Sequence, residues 1–158
     1  MMKKLILIGV LLASSQMAMA ANWVNTGVTS KIDNEINYID FDSVSGYYFN
    51  NYDKTNYYVT AWIKTDYPTA QKLKDGRSYR QMRKLWYVDC LAEKITTGDV
   101  AVYTNNGNLV WRNQNSYIST YSSSNWDRVI PDTVGDGLAK FICLAYDVKT
   151  NPNLYNQK

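Results

Sequence analysis

The 158-residue sequence predicts an α+β fold: an antiparallel β-sheet with one C-terminal helix packed across a face and tethered to it by a disulfide. Three observations predict it. Residues 22–130 are rich in Tyr, Trp, Val and Thr in short alternations broken by turn residues, the punctuation of strands and hairpins. Apolar residues recur at helical spacing in one good place, near Thr133 to Tyr146. The two cysteines, Cys90 and Cys143, fall on the longest strand pattern and on that helix.

The chain opens with Lys3 and Lys4, a short apolar run from Leu5 to Ala13, and small residues at Ala18 and Ala20, the pattern of a cleavable secretory signal over residues 1–20. Ser14, Ser15 and Gln16 interrupt the apolar run short of the roughly 20 residues that an anchor helix would need. Removing 20 of 158 residues leaves 138, a single domain (21–158) with its core over about 22–148 and a frayed C-terminal tail. No later apolar run reaches spanning length, so the mature chain is expected to lack a transmembrane segment. Export places both thiols in an oxidising compartment. A metal site usually needs four ligands and the sequence contains no histidine, so the cysteine pair is expected to be a Cys90–Cys143 disulfide. Closing a loop of that length contributes about 4 kcal/mol on the chain-entropy model.

The clearest strand is Tyr57 to Lys64, with Tyr57, Val59, Ala61 and Ile63 on one face and Tyr58, Thr60, Trp62 and Lys64 on the other. A second runs from about Tyr79 to Lys94, with Met82, Trp86, Val88, Cys90 and Ala92 opposing Leu85, Tyr87 and Leu91. Apolar residues on both faces predict a central strand with a cover, and the helix is the available cover. Pro131-Asp132-Thr133 is a helix-start pattern, followed by Leu138, Phe141, Ile142 and Ala145 at helical spacing. Asn105-Asn106-Gly107-Asn108 predicts a hairpin turn between Val100–Tyr103 and Leu109–Trp111. Ser45 to Asn56 and Asn113 to Asn125 read as surface loops, and the chain after Lys149 as the frayed tail.

The absence of histidine excludes Ser-His and Cys-His nucleophile pairs and histidine metal sites. Gly135-Asp136-Gly137 lacks the lysine and spacing of a phosphate-binding loop and the third glycine of a dinucleotide fingerprint, so no cofactor or metal is implied. The net charge of +3, or +1 once Lys3 and Lys4 are removed, is too small to make nucleic acid the partner. Asp40 and Asp42 are the nearest pair for a carboxylate hydrolase, against which stands a solvated strand end. Asp89, beside Cys90 in an apolar strand, reads as a structural carboxylate capping the bridge or pairing with an arginine. A non-enzymatic role follows.

Two segments are candidate contacts for a protein ligand. Tyr47, Tyr48, Phe49 and Tyr52, interleaved with Asn50 and Asn51, combine rigid amphipathic rings with adaptable amides, although the same rings could pack on a sheet edge. Lys72, Lys74, Arg77, Arg80, Arg83 and Lys84, relieved only by Asp75, form a basic segment suited to an acidic ligand, a sulfated glycan or an acidic protein, or else a solvated face.

Trp23-Val24, Tyr38-Ile39-Asp40, Val59 with Trp62 and Lys64, Asp89-Cys90, Tyr103 with Gly107, Trp126, Val129-Ile130-Pro131, Thr133, Gly135, Leu138, Phe141 and Cys143 together form a spaced set. That set resembles the surface-adhesin protein E family of Gram-negative bacteria and covers almost the whole mature chain. The resemblance implies an antiparallel sheet crossed by a disulfide-tethered C-terminal helix. It also implies a non-enzymatic surface protein that binds host matrix and serum components such as vitronectin, laminin and plasminogen. The alternative is a periplasmic accessory or inhibitor-like protein that uses the same scaffold on a bacterial partner. Ala21 follows the expected cleavage site where the best-known member has a lipid-accepting cysteine, so no lipid anchor is implied and the expected location is the periplasm or the outer surface.

Overall fold

The computed structural model describes residues 20–158 except 51, 115, 116 and 156–158, so the expected signal lies outside the described residues apart from Ala20. In chain order the elements are β1 (Trp23–Asn25), β2 (Ile36–Asp40), a 3-10 turn (Phe41–Ser43), β3 (Ser45–Tyr48), β4 (Tyr57–Lys72) and β5 (Ser78–Asp89). They continue with β6 (Lys94–Tyr103), β7 (Leu109–Asn113), β8 (Asp127–Arg128), α1 (Val134–Thr150) and α2 (Pro152–Tyr155). Every pairing is antiparallel, and the sheet runs β1-β2-β4-β5-β6-β7. β3 joins β2 along one edge of β4, and β8 joins β7 along one edge of β6. The three long strands therefore form the sheet's spine.

Register sorts the side chains. Ile39 opposes Ile63, Ala61 opposes Trp86 and Val59 opposes Val88, so all six share the inner face, where Leu138, Ala139, Ile142 and Ala145 of α1 bury them. α1 starts where Thr133 caps it by accepting the Asp136 N–H at 3.2 Å, and Asp136 reaches back to accept the Asp132 N–H. Cys90, one residue past the end of β5, is bonded to Cys143 of α1 at 2.08 Å with Cα atoms 5.9 Å apart. The predicted tether is present.

The helix covers only one face. On the outer face Phe49, Tyr58 and Trp126 form a second buried cluster with Tyr87 and Ile118, so the cover for that side of β4 and β5 comes from loops. The predicted loop 45–56 likewise begins as β3: Tyr47 pairs with Tyr58 and Tyr48 with Tyr57. Gly46 permits this, because a Cβ there would collide with the Tyr146 ring of α1. α1 outruns its predicted end at Tyr146 and reaches Thr150, where Lys149 Nζ donates to the carbonyls of Asp42 and Val44 at 3.0 and 2.9 Å. Beyond it α2 adds one turn, with the Tyr155 hydroxyl on the Asp147 carboxylate. At the predicted hairpin, Gly107 takes φ +80° between β6 and β7.

Candidate functional site

The outer-face cluster supports a cleft. Alternation along β3 sets Tyr47 beside Tyr58, their rings stacked at 5.6 Å, and sends the chain on to Phe49, which is buried. Phe49 lies 5.0 Å from Tyr58 and 5.6 Å from Trp126, while the Trp126 indole N–H donates to the Ser119 carbonyl at 3.2 Å. Past Phe49 the chain turns on its own side chains. Asn50 Oδ1 accepts the N–H groups of Tyr52 and Asp53 at 3.0 and 2.7 Å, and Asp53 Oδ1 accepts both the N–H and the hydroxyl of Thr55. The Thr55 hydroxyl in particular holds the Asp53 carboxyl below its usual range.

These contacts shape a cleft of about 580 Å³ bounded by Tyr47, Tyr48, Tyr52, Tyr58, Thr120 and Tyr121. Tyr47 and Tyr48 are half exposed and Tyr52 and Tyr121 largely so, whereas burial pushes the Tyr58 phenol up from its ordinary value. Of the four predicted aromatic contacts, Tyr47 and Tyr52 line this cleft with their rings open to solvent, while Tyr48 borders it at the strand end, its ring turned with Tyr57 towards the other face. The fourth, Phe49, supports it from within the cluster. Asn51 lies outside the described residues. Thr120 and Tyr121 complete the cleft from the segment 117–126, seventy residues away in sequence and without any alternation that would betray their facing.

The six basic residues are not gathered into one field. Lys72, Lys74 and Arg77 are exposed around the β4–β5 turn, where Arg77 pairs with Asp75 at 2.7 Å and also donates to the Val110 carbonyl. That pairing lowers Asp75 and raises Arg77 from their ordinary values. Arg80 donates to the Pro68 carbonyl opposite the irregular stretch of β4, where register shifts between Asp66 and Gln71. Arg83 and Lys84, adjacent in β5, point to opposite faces, as the strand period requires.

Arg83 belongs to an outer-face row whose other members were not among the contacts expected from the sequence. Across the strands, Tyr38 opposes Lys64, Lys64 opposes Arg83, and Arg83 opposes Ala101, which opposes Arg112. Lys64 Nζ lies 4.1 Å from the Tyr38 ring centroid and 5.1 Å from that of Trp23, and Arg83 lies 4.6 Å from the Tyr103 ring. Asp66 moderates the row through Lys64 at 3.7 Å and through Gln81 Nε2 at 2.9 Å. Lys64 and Arg83 are held by rings and amides inside the row, which leaves the tyrosine cleft as the more accessible surface.

The carboxylates each hold donors of the fold. Asp40 Oδ1 accepts the Asn22 N–H at 3.0 Å and Asp42 Oδ1 accepts the Asn22 side-chain amide at 3.5 Å. Asp89 is buried and receives the N–H groups of Leu91 and Ala92 and, at 2.6 Å, the Ser123 hydroxyl. It caps the turn that carries Cys90 and ties down the segment under the cleft, with no arginine involved. Among the described residues no group of three or more Cys, Asp or Glu side chains could hold a metal ion, and no helix is long and apolar enough to cross a membrane.

The chain is similar in structure to crystal form II of Haemophilus influenzae protein E. It is 18% identical with a TM-score of 0.46, covering 70% of this chain and 81% of that one. No curated protein sequence matches the chain. The family model for surface-adhesin protein E matches residues 23–144, which span the sheet, the cleft and the disulfide-bearing part of α1. By that match, the chain belongs to the surface-adhesin protein E family.

Proposed function

We propose that this chain is a non-enzymatic, exported binding protein, an adhesin that engages a host extracellular-matrix or serum protein through the tyrosine cleft. Membership of the adhesin family supports the general role. The observation that carries the site is the cleft itself: exposed tyrosines mounted on a buried aromatic floor and a self-bonded turn. Such rings offer large contact area at little cost in side-chain freedom, and amides beside them adapt to polar partners. The basic turn at Lys72, Lys74 and Arg77 would then add electrostatic steering rather than the main contact.

In a solid-phase assay against matrix and serum proteins, the double variant Tyr47→Ser, Tyr52→Ser is expected to weaken capture about 30-fold, the loss of one hot spot of roughly 2 kcal/mol. Capture equal to the wild type would remove the cleft from the proposal. Protease treatment of intact cells separates the two locations. Digestion of the chain supports display at the surface, and full protection would replace the adhesin with a periplasmic accessory or inhibitor-like protein acting on a bacterial partner.

A further inference from the structure

The outer face carries a second depression, over β6 and β7, that shares no residue with the tyrosine cleft. Two irregularities in the strand ladder bracket it. Lys84 opposes Val100 and Trp86 opposes Thr97, so β6 has one residue more than β5 over that stretch. Val102 opposes Trp111 and Tyr103 opposes Leu109, so β7 has one residue more than β6. Such bulges re-aim side chains and are common beside functional sites. The first includes Gly98, where a Cβ would lie 2.9 Å from the Tyr87 ring, and beyond it Asp99, Ala101 and Tyr103 alternate onto the outer face.

Between the bulges lies a hollow of about 270 Å³, walled by Trp62 of β4, Asp99 and Tyr103 of β6, and Leu109 and Arg112 of β7. Ala101, short where its neighbours Arg83 and Arg112 are long, forms the floor. The volume falls below the roughly 300–1,000 Å³ that takes a drug-sized ligand and equals about nine waters' share of the liquid, which suits one six-membered sugar ring.

The polar groups of the hollow are near enough for one such ring to touch both. Arg112 opposes Ala101, so Asp99, two positions along β6, is its diagonal neighbour on the same face, about 7–8 Å away. A carboxylate at one end of a pyranose and the hydroxyls at the other span a similar distance. Arg112 is exposed and Asp99 partly so. Neither side chain makes a hydrogen bond or an ion pair among the described residues, in contrast to Lys64 with Asp66 and Arg83 with Gln81. Arg83 opposes Ala101 from the other side, so two guanidiniums flank the floor against one carboxylate. A guanidinium grips a carboxylate by paired hydrogen bonds, and a free carboxylate accepts from hydroxyls. Trp62 and Tyr103, both partly exposed, add aromatic surface for the C–H face of a sugar. A simple anion would leave Asp99 and the rings unused, and a neutral sugar would leave Arg112 unmatched.

We propose that this hollow binds a sugar acid, a six-membered ring bearing a carboxylate, with its ring against Trp62 and Tyr103, its carboxylate on Arg112 and its hydroxyls on Asp99. The site does not depend on the tyrosine cleft's binding a protein.

NMR titration of the isotope-labelled full chain with D-glucuronate and N-acetylneuraminate, and separately with D-glucose and acetate, tests it. At least one sugar acid is expected to shift the amide resonances of Asp99, Ala101 and Arg112 saturably, binding at least tenfold more tightly than glucose or acetate. Arg112→Gln, which removes a charge at an exposed position, and Ala101→Leu, which fills the floor, are each expected to weaken that binding at least tenfold. Tyr47→Ser is expected to leave it unchanged. Absence of saturable shifts with both sugar acids would overturn the proposal, as would equal affinity for glucose or acetate, or binding unaltered in Arg112→Gln. Binding lost in Tyr47→Ser would overturn it too, by moving the site to the tyrosine cleft. Should Ala101→Leu fail to fold by circular dichroism, Arg112→Gln and the four probes on the wild type still decide the matter.

Discussion

Tyr67 and Lys84 line a common cavity beside α1, with Asp33 and Glu35 facing them, and they act on stability with opposite signs at alkaline pH. Burial, reinforced by Tyr79 and by the charges of Glu35 and Asp33, pushes the Tyr67 phenol up to about 12 from an ordinary 10. Its neutral form is favoured by folding, so that stabilisation is complete below about pH 10 and is lost as pH rises towards 12. Lys84 runs the other way: its folded value lies below 10.5, so the cost of burying its charge is relieved as pH rises through that value. Urea titrations at a series of pH values should show stability falling between pH 10 and 12, and Tyr67→Phe should reduce that fall. Superimposable profiles would show that the phenol is not the group responsible. Tyr58, Tyr79, Tyr87 and Tyr146, also raised chiefly by burial, contribute to the fall that remains. At this scale the cysteines were legible because a histidine-free exported chain leaves them one partner, each other. Phe49 was not, since nothing in Tyr47-Tyr48-Phe49 distinguishes a ring that faces inward from its neighbours.

Among the elements, β4, β5 and α1 were readable from periodicity, because each is long enough for its spacing to repeat several times, although β4 runs on to Lys72 past its expected end at Lys64 and β5 stops at Asp89, where the turn carrying Cys90 begins, short of the expected Lys94. β3 and β8 were not readable in this way. Four and two residues long, they are fixed by pairing with β4 and β6, and Gly46-Tyr47-Tyr48 carries no alternation of its own. The segment 117–126 is a connection that Trp126, Ile118, the Ser123 hydroxyl on Asp89 and the Lys94 ammonium on the Ser123 and Ser124 carbonyls hold against the outer face. Trp126→Ala should therefore destabilise the chain by about 3–5 kcal/mol in chemical denaturation. Because Phe49 and Tyr58 lose their common neighbour, the same variant should also weaken ligand capture under conditions where it remains folded. Trp126→Phe, which keeps the rings in contact, should cost less on both counts. Equal stability of Trp126→Ala and wild type would mean that β3 and the tyrosine turn are organised by pairing with β4 alone.

For the whole molecule, the two faces of one sheet carry different burdens. α1 and the disulfide secure the inner face, while the outer face is only partly covered and bears both the aromatic cleft and the cation–aromatic row. The general plan was visible in the sequence because a helix of the right spacing and a cysteine on each partner specify what packs on what. The cleft as a place was not, since it joins residues 47–52 to 120–121 through contacts that no local pattern encodes.

The bridge between Cys90 and Cys143 also decides how the protein would carry a mechanical load. Tension applied between the two ends of the chain passes from the end of β5 directly into α1, so the 53-residue separation is short-circuited and β6, β7 and β8 are not drawn out along the pull. About 180 Å of extensible contour is thereby withheld, at roughly 3.4 Å per residue. Single-molecule stretching should give an unfolding length shorter by that amount under oxidising conditions than after reduction. An identical length in both would mean that the load path runs elsewhere. Tyr121 sits inside the sheltered segment and Tyr47 outside it, so a ligand spanning both would grip one part of the chain that yields to force and one that does not.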